Sequence, residues 1–280
     1  MYNSIENTDS THLKEKVYGI IFDWAGTVLD FGSIAPVAAF RESFSKYGIP
    51  ISEAEARLPM GSAKRVHIEQ IFAQPDVQRR WHEVAGRASG DDDVDSIYET
   101  FLRIDAEKSS CYSALIPGAL ETVQALRARG ISIGSTTGYP RSIMDKLAPL
   151  AEAQGYRPDC CVTVSEVPRG RPWPDMLLAN VSALGAPSVQ SCVAVDDSPS
   201  GLAAARAAGM WAVGISVSGN EVGLSLEGWQ ALNEAERDHA RQSAVQKLEQ
   251  SGAHYVIDTI ADLLPVIDRI GERMEAGERP

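Results

Sequence analysis

The sequence has little cysteine and no long apolar run. Only 4 of its 280 residues are cysteines. None has zinc-ligand spacing, and the adjacent Cys160 and Cys161 are poorly placed to form a disulfide. There is no stretch of about 18 or more apolar residues and no apolar signal core near the N-terminus. We therefore expect neither a disulfide scaffold nor a membrane-spanning or secreted protein, and the cysteine pattern predicts a reduced, cytoplasmic location.

Positive charge is also scarce. The chain has 26 Lys and Arg residues against 38 Asp and Glu residues, a net charge of −12. Because an acidic surface repels phosphate groups at long range, we expect no nucleic-acid partner and no anionic membrane partner. A site for an anionic substrate must then be made locally positive by a metal ion, by Lys or Arg, or by backbone N–H groups.

Short apolar runs alternate with helical segments along most of the chain. The first run, residues 17–22, ends at Asp23. Later runs cover residues 131–135, 160–163, 193–195, 211–215 and 254–257. Segments with helical periodicity lie between them. This alternation predicts an α/β fold with a doubly wound, Rossmann-like parallel sheet and helices on both faces.

One block breaks this alternation. Between residues 35 and 110 only helical periodicity is present, and the acidic run at 90–93 is expected to be an exposed loop. An all-helical insertion after the first strand predicts a cap domain over the strand ends, where ligands bind in open α/β sheets. The predicted organisation is a flexible tail (1–15), an α/β core (16–34 and 111–270), the helical cap (35–110) and a flexible C-terminal tail (271–280).

Polar residues mark four of the predicted strand ends. These are Asp23 after the first strand, residues 136–139 after the second, 170–172 after the third and 196–198 at the end of the fourth. A single Asp at a strand end is usually a cap or turn residue. The complete set in this order is much harder to obtain by chance, and in a parallel sheet the four ends meet at one edge. The set therefore predicts a single phosphoryl-transfer site.

In this order the four motifs resemble the haloacid dehalogenase superfamily. The resemblance implies that Asp23 is a nucleophile that attacks phosphorus and forms an aspartyl-phosphate. Because a carboxylate and a phosphate repel each other, it also implies Mg²⁺, bound by Asp23, the backbone carbonyl of Ala25 and Asp197, with Asp196 behind them. The residues that it implies for binding the phosphate group are Thr137, Gly138 and Gly26.

Ala25 departs from the commonest pattern of that superfamily. Most of its phosphatases have Asp at this position, and that Asp protonates the leaving oxygen, which Ala25 cannot do. The Ala25 form resembles the phosphonoacetaldehyde hydrolases (phosphonatases), and the match extends to residues 59–67, 133–139 and 170–174 and covers roughly residues 17–267. Gly201 likewise stands where some members of the superfamily carry a further Asp.

The resemblance explains why Ala25 and Lys64 occur together. Cleaving a C–P bond leaves a carbanion, but a Schiff base between Lys64 and the neighbouring aldehyde acts as an electron sink, so the fragment leaves as an enamine without an acid. The implied activity is hydrolysis of phosphonoacetaldehyde to acetaldehyde and phosphate, in 2-aminoethylphosphonate degradation. Lys64 must attack as a free amine, and burial under the cap near magnesium is expected to lower its pKa.

Several further residues are candidates for the site. His67 lies one helical turn after Lys64 and is either a proton shuttle or a hydrogen-bonded histidine of the cap. Tyr139 either walls the aldehyde site or orients Lys64, unless it is simply a core tyrosine. The substrate-binding candidates are Ser33, Met60, Gly61 and Arg171. Core packing is nearly as good an interpretation of Met60, and a surface ion pair is the alternative for Arg171.

Two other functions compete with C–P bond hydrolysis. A phosphatase or phosphomutase of the same superfamily would act on a phosphate ester, but Ala25 leaves its alkoxide without an acid. A non-catalytic binding protein would not need both Asp23 and Asp197, and both are present. The resemblance also implies a homodimer that pairs through the cap, for which the apolar positions of residues 37–47 offer a face.

Overall fold

A six-stranded parallel sheet forms the centre of the computed structural model, which describes residues 16–280. The strands are β1 (Gly19–Phe22), β2 (Ser132–Thr137), β3 (Cys160–Thr163), β4 (Cys192–Asp196), β5 (Trp211–Ile215) and β6 (Tyr255–Ile257). Their order across the sheet is β3-β2-β1-β4-β5-β6. The predicted parallel sheet is confirmed. The predicted N-terminal tail lies outside the described residues.

Helices cover both faces of the sheet, as a doubly wound fold requires. The core helices are α6 (Ala119–Ala128), α7 (Arg141–Ala153), α8 (Asp175–Leu184), α9 (Pro199–Ala208), α10 (Leu226–Ala231), α11 (Glu234–Gln250) and α12 (Leu263–Glu275). Successive residues of a strand point to opposite faces. Ile20 and Phe22 therefore join the core beneath α6, α7 and α12, whereas Ile21 packs with residues of α8, α9 and α11. Burial on both faces explains why β1 and β5 contain no polar side chain.

Strand β1 lies between β2 and β4, which places its end at the middle of the sheet edge. Phe22 pairs with Ser135 on one side and with Val195 on the other. The backbone N–H of Asp23 continues this pairing and donates to the carbonyl of Val195 at 2.9 Å. The first residue after β1 is thus held between the polar ends of two neighbouring strands.

The inserted block forms a helical cap with its own hydrophobic core. Its helices are α1 (Ile34–Lys46), α2 (Glu53–Arg57), α3 (Lys64–Phe72), α4 (Pro75–Ala85) and α5 (Asp91–Cys111). Phe40 of α1 and Phe101 of α5 stack with ring centroids 4.3 Å apart. Val37, Phe40 and Phe44 are all buried inside this core. The apolar positions of α1 therefore do not supply an exposed pairing face, contrary to the sequence-based suggestion.

Two predicted boundaries differ from the structure. Asp91–Asp93, expected in a loop, form the first turn of α5, where carboxylates interact favourably with the helix dipole and Asp93 accepts a hydrogen bond from the Gly90 N–H at 2.8 Å. Helix α12 continues to Glu275, past residue 271 where a flexible tail was predicted, because the apolar face of Ile267 and Ile270 extends to buried Met274. No helix in residues 16–280 combines the length and apolar character needed to cross a bilayer.

Candidate active site

A small cavity lies between the sheet edge and the start of α3 in the cap. Twelve residues line it: Asp23, Ala25, Ser33, Pro36, Met60, Gly61, Lys64, Thr137, Gly138, Tyr139, Arg171 and Asp197. All of them except Pro36 are candidates from the sequence. Three other candidates, Gly26, His67 and Asp196, are not among the lining residues. The fold thus gathers eleven of the fourteen sequence candidates around one space.

Arg171 connects the acidic residues at the sheet edge. One guanidinium nitrogen, Nη2, lies 2.7 Å from Asp23 Oδ1 and 3.0 Å from Asp196 Oδ2, and it also donates to Thr136 Oγ1 at 2.8 Å. Arg171 is only 7% exposed, so this is a buried ion-pair network and not a surface pair. Burial raises the pKa of Asp23, and the adjacent Arg171 guanidinium opposes that rise. Arg171 therefore favours the ionised form of Asp23 against this effect of burial and fixes the orientation of the carboxylate.

The carboxylate of Asp196 occupies the space that Gly201 leaves open. Asp196 Oδ1 accepts hydrogen bonds from the Ser198 N–H at 3.0 Å and from Ser198 Oγ at 2.7 Å. A Cβ built on Gly201 would lie 2.0 Å from Asp196 Cγ. The glycine is thus required by the neighbouring carboxylate, which explains why this chain has Gly201 where some members of the superfamily carry Asp.

The donor set at the sheet edge fits a hard divalent cation. Asp23, Asp197 and Ala25 line the same wall, and Asp23, Asp196 and Asp197 together oppose the single buried guanidinium of Arg171. Burial, followed by the charges of Asp23 and Asp196, raises the pKa of Asp197 well above its usual range, because like charges are buried close together. Residues 16–280 contain no cluster of three or more His, Cys, Asp or Glu side chains able to hold a metal. Two carboxylates and one carbonyl suit Mg²⁺, which retains several waters.

Glycines allow the close approach of chain segments around the cavity. A Cβ on Gly26, where φ is +82°, would lie 2.1 Å from Asp197 Oδ2. A Cβ on Gly61, where φ is +88°, would lie 2.2 Å from Ser200 Oγ, and one on Gly138 would lie 3.1 Å from the carbonyl oxygen of Ser62. Two of these three contacts join cap to core. The glycines therefore allow the cap to seat closely on the strand ends.

Lys64 projects from the first residue of α3 into the cavity. Its Nζ lies 4.8 Å from the ring centroid of Tyr139 and 5.5 Å from that of Phe40. It forms no hydrogen bond or salt bridge with any residue of the described chain. Burial lowers the pKa of Lys64, and the carboxylates of Asp105 and Asp23 oppose that change. A buried amine held between two rings is more readily deprotonated than a solvated one.

His67 is buried behind Lys64 in the cap core. Its Nε2 donates to the carbonyl of Ala56 at 2.8 Å, and its ring stacks on Phe40 with centroids 4.0 Å apart. Burial, followed by the charge of Lys64, holds the pKa of His67 well below its usual range. This geometry favours the hydrogen-bonded cap histidine. The proton-shuttle role stays a prediction that these contacts do not support.

Three polar residues near the site, of which Asp30 and Asp105 are buried, were missed from the sequence. Asp30 accepts hydrogen bonds from the N–H groups of Ile34 and Ala35 and so caps α1 at the junction between core and cap. Asp105 of α5 is completely buried and has no hydrogen-bond partner for either oxygen. A signal for Asp105 was available, because it lies four residues after Phe101 on the apolar face of its helix.

Arg57 is the third of these residues and joins α2 of the cap to the core. Its Nη1 donates to the carbonyl of Gly32 at 2.9 Å and to Asn220 Oδ1 at 3.1 Å, and its Nη2 donates to the carbonyl of Gly223 at 2.7 Å. The N–H of Asn220 in turn donates to Asp197 Oδ2 at 2.8 Å. The cap is therefore connected to a candidate metal ligand through two side chains.

Comparison with known proteins gives consistent matches over almost the whole chain. The haloacid dehalogenase-like hydrolase model matches residues 18–209. The chain is 47% identical over 261 residues to a phosphonoacetaldehyde hydrolase from Pseudomonas fluorescens, covering 93% of this chain and 95% of that one. It is 46% identical to a phosphonoacetaldehyde hydrolase from Pseudomonas putida, with 96% and 97% covered. A phosphonoacetaldehyde hydrolase-like protein from Oleispira antarctica superposes with a TM-score of 0.94 at 43% identity, covering 95% and 97%.

Proposed function

This chain belongs to the phosphonoacetaldehyde hydrolases of the haloacid dehalogenase-like family, and from that premise we propose that it hydrolyses the C–P bond of phosphonoacetaldehyde to give acetaldehyde and phosphate. The observation that carries the proposal is one cavity lined by Lys64, Asp23 and Ala25. An amine for the aldehyde and a carboxylate for the phosphorus thus face the same small space. Position 25, from which an acid would protonate an ester oxygen, holds Ala25, whose side chain is only a methyl group.

The first step is formation of a Schiff base on Lys64. The free amine attacks the aldehyde carbon, and loss of water leaves a C=N bond whose nitrogen carries a proton and a positive charge. Burial of Lys64 lowers its pKa and so increases the fraction of free amine. The ring centroids of Phe40 and Tyr139 lie 5.5 Å and 4.8 Å from Lys64 Nζ, and their π-faces stabilise the cationic forms of this nitrogen.

The second step is transfer of the phosphoryl group to Asp23. The carboxylate oxygen bonds to phosphorus while the C–P electron pair forms a C=C bond and the π pair of the C=N bond moves onto nitrogen, so the two-carbon fragment remains on Lys64 as a neutral enamine. The charge-neutralising chemistry between carboxylate and phosphonate would come from Mg²⁺ held by Asp23, Asp197 and the Ala25 carbonyl. The phosphonate oxygens would be held by Thr137 Oγ1 and the Gly138 N–H, which line the cavity beside Asp23.

Two hydrolyses complete the cycle. The enamine takes a proton on carbon, and water then releases acetaldehyde and regenerates the Lys64 amine. A second water attacks the aspartyl-phosphate on Asp23 and releases phosphate. No step needs an acid from position 25, which agrees with Ala25 and disfavours a phosphate-ester phosphatase or phosphomutase.

The setting of the reaction forms a further part of the proposal. We place the enzyme in the cytoplasm, within 2-aminoethylphosphonate degradation, which agrees with its four unpaired cysteines. We also propose a homodimer that pairs through the cap. Because α1 is buried, the exposed apolar side chains of the cap available for pairing are Leu58 (76%), Val66 (41%) and Val84 (57%).

Borohydride trapping tests the proposed chemistry. Wild-type protein incubated with phosphonoacetaldehyde and Mg²⁺ should release acetaldehyde and phosphate in equal amounts, and borohydride should fix a two-carbon adduct on Lys64. Lys64→Arg should abolish both the release and the adduct. Lys46→Arg is the matched control, because Lys46 is 55% exposed in a surface ion pair with Glu42. Full activity in Lys64→Arg, or faster turnover of simple phosphate esters than of phosphonoacetaldehyde, would contradict the proposal.

A further inference from the structure

Two buried residues of opposite charge lie on α3 and α5, two helices of the cap that pack against each other. Lys64 is 6% exposed and Asp105 is 0% exposed. Within residues 16–280, Lys64 has only ring contacts, and neither oxygen of Asp105 accepts a hydrogen bond. The two groups nevertheless interact, because the charge of Asp105 is the largest electrostatic influence raising the pKa of Lys64, and Lys64 in turn lowers that of Asp105.

The position of Asp105 follows from the packing of the cap. It lies one turn after Phe101 on α5, and Phe101 stacks on Phe40, whose ring lies 5.5 Å from Lys64 Nζ. The charged and titratable groups that face Asp105 are Lys64 from α3, Asp30 from the core-to-cap junction and Tyr139 from the end of β2. Lys64 is the only cation in this set, so it is the group whose charge the Asp105 carboxylate can balance.

An unpartnered buried carboxylate is costly for folding. Burial raises the pKa of Asp105 to about 7, which reflects the penalty on its charged form. Buried polar groups in proteins are almost always hydrogen-bonded, and an exception calls for a functional explanation. The carboxylates on the core side are already engaged, since Asp23 pairs with Arg171 and Asp197 accepts from Asn220. Among the buried carboxylates of residues 16–280, only that of Asp105 accepts no hydrogen bond.

We propose that Asp105 is the counter-ion of the protonated imine on Lys64. The inference rests on the proposed function, because the charge to be balanced is that of the protonated Schiff base. The proton must stay on the imine until the C–P electron pair has moved into it, and a carboxylate without hydrogen bonds interacts with that charge at full strength. Asp105 acts through Lys64 and touches neither phosphorus nor carbon, so it is a positioning residue.

Asp105→Asn isolates the charge while keeping the shape of the side chain. Glu107→Gln, two residues further along α5 on its exposed side, is the matched control. The reactivity of Lys64 toward acetic anhydride, followed by mass spectrometry as a function of pH in the substrate-free protein, should begin at lower pH in Asp105→Asn. Removing a charge that favours the ammonium form makes the free amine easier to obtain. Glu107→Gln should match the wild type.

Turnover should change in the opposite sense. In Asp105→Asn, kcat should fall on the order of tenfold to a hundredfold, KM should change little, and the alkaline limb of the kcat profile should move to lower pH, because the imine loses its proton more easily. The variant should also be at least as stable as wild type at pH 8. If the wild type is active and borohydride traps its Lys64 adduct, a labelling profile of Asp105→Asn that matches that of the wild type would overturn the inference. It would leave the proposed function intact. Lower stability of Asp105→Asn would also overturn it, whereas an inactive wild type would instead refute the proposed function.

Discussion

Gly201→Ala should be strongly destabilising although it places alanine in a helix. In an exposed helix interior, alanine is favoured over glycine by about 1 kcal/mol. Here the new Cβ would lie 2.0 Å from Asp196 Cγ and 2.1 Å and 2.2 Å from its two oxygens. The carboxylate cannot yield cheaply, because Ser198 donates to it twice and Arg171 pairs with it at 3.0 Å.

The magnitude follows from the contacts that must break. Displacing Asp196 loses charge-assisted hydrogen bonds that contribute roughly 1.5–3 kcal/mol each, and it leaves Arg171 with one carboxylate fewer. After subtracting the gain in helix propensity, we expect a net loss of about 3 kcal/mol. For a chain of this size that corresponds to a fall in Tm of roughly 6–12 °C. Because Arg171 also holds Asp23, kcat should fall at least about tenfold even where the variant remains folded.

Gly271→Ala is the control for this prediction. Gly271 is also helical, in α12, and nothing lies within 4 Å of a Cβ built there. That substitution should leave activity unchanged and raise the free energy of unfolding slightly. Thermal and urea unfolding of both variants, with acetaldehyde release measured in parallel, separates the two effects. Equal stability and equal activity of Gly201→Ala and Gly271→Ala would refute the steric reasoning.

Three further perturbations have defined outcomes. The Tm of Asp105→Asn should exceed that of wild type by a margin that is absent below pH 4 and grows as the pH rises to about 7. Burial raises the pKa of Asp105 to about 7, and only the ionised carboxylate is penalised in the folded state. A margin in Tm that stays constant with pH in thermal scans would contradict this. Arg57→Ala should raise KM and increase hydrogen exchange in residues 219–224. The substitution removes the side-chain hydrogen bonds to Gly32, Asn220 and Gly223. Unchanged hydrogen exchange would show that other contacts hold the cap. Chelation of divalent cations should abolish activity. Added Mg²⁺ should raise the Tm at constant ionic strength, because the cation binds a cluster of like charges that exists in the folded state. Equal stabilisation by Na⁺ would argue against a specific site.

The sheet and the lining of the cavity were predictable because their signals are local. An apolar run followed by Asp23 identifies both a strand and the residue at its end, and parallel strands bring such ends to one edge. The first turn of α5, residues 91–93, was assigned to a loop because an acidic run resembles a solvated loop, although carboxylates at a helix start are favourable. The apolar face of α1 was assigned to a partner, but Phe40 and Phe44 pack within the cap itself.

The environment of Lys64 was not predictable, because it depends on residues far apart in the sequence. Sequence spacing placed His67 on the same helical face as Lys64, yet the ring donates to Ala56 and stacks on Phe40, away from the cavity. Asp105 lies 41 positions after Lys64 and faces it only once α5 has packed against α1. Spacing along one helix identifies neighbours on that helix. The role of a buried charge depends instead on residues that other elements bring against it from the opposite side of the core.

The division of charge between the core and the cap supports the proposal that one small cavity carries out both phosphoryl transfer and aldehyde chemistry. The core side holds an excess of carboxylates around Arg171, which suits a cation and an anionic phosphorus group. The cap side holds a single amine between aromatic rings, with Asp105 beyond it. The aldehyde chemistry therefore depends on docking of the cap, and the contacts that dock it run from Arg57 through Asn220 to Asp197. Opening of the cap would remove the amine from the site and break the Arg57–Asn220 hydrogen bond beside a candidate metal ligand, so the proposed Schiff-base formation and phosphoryl transfer would both depend on the same docked cap.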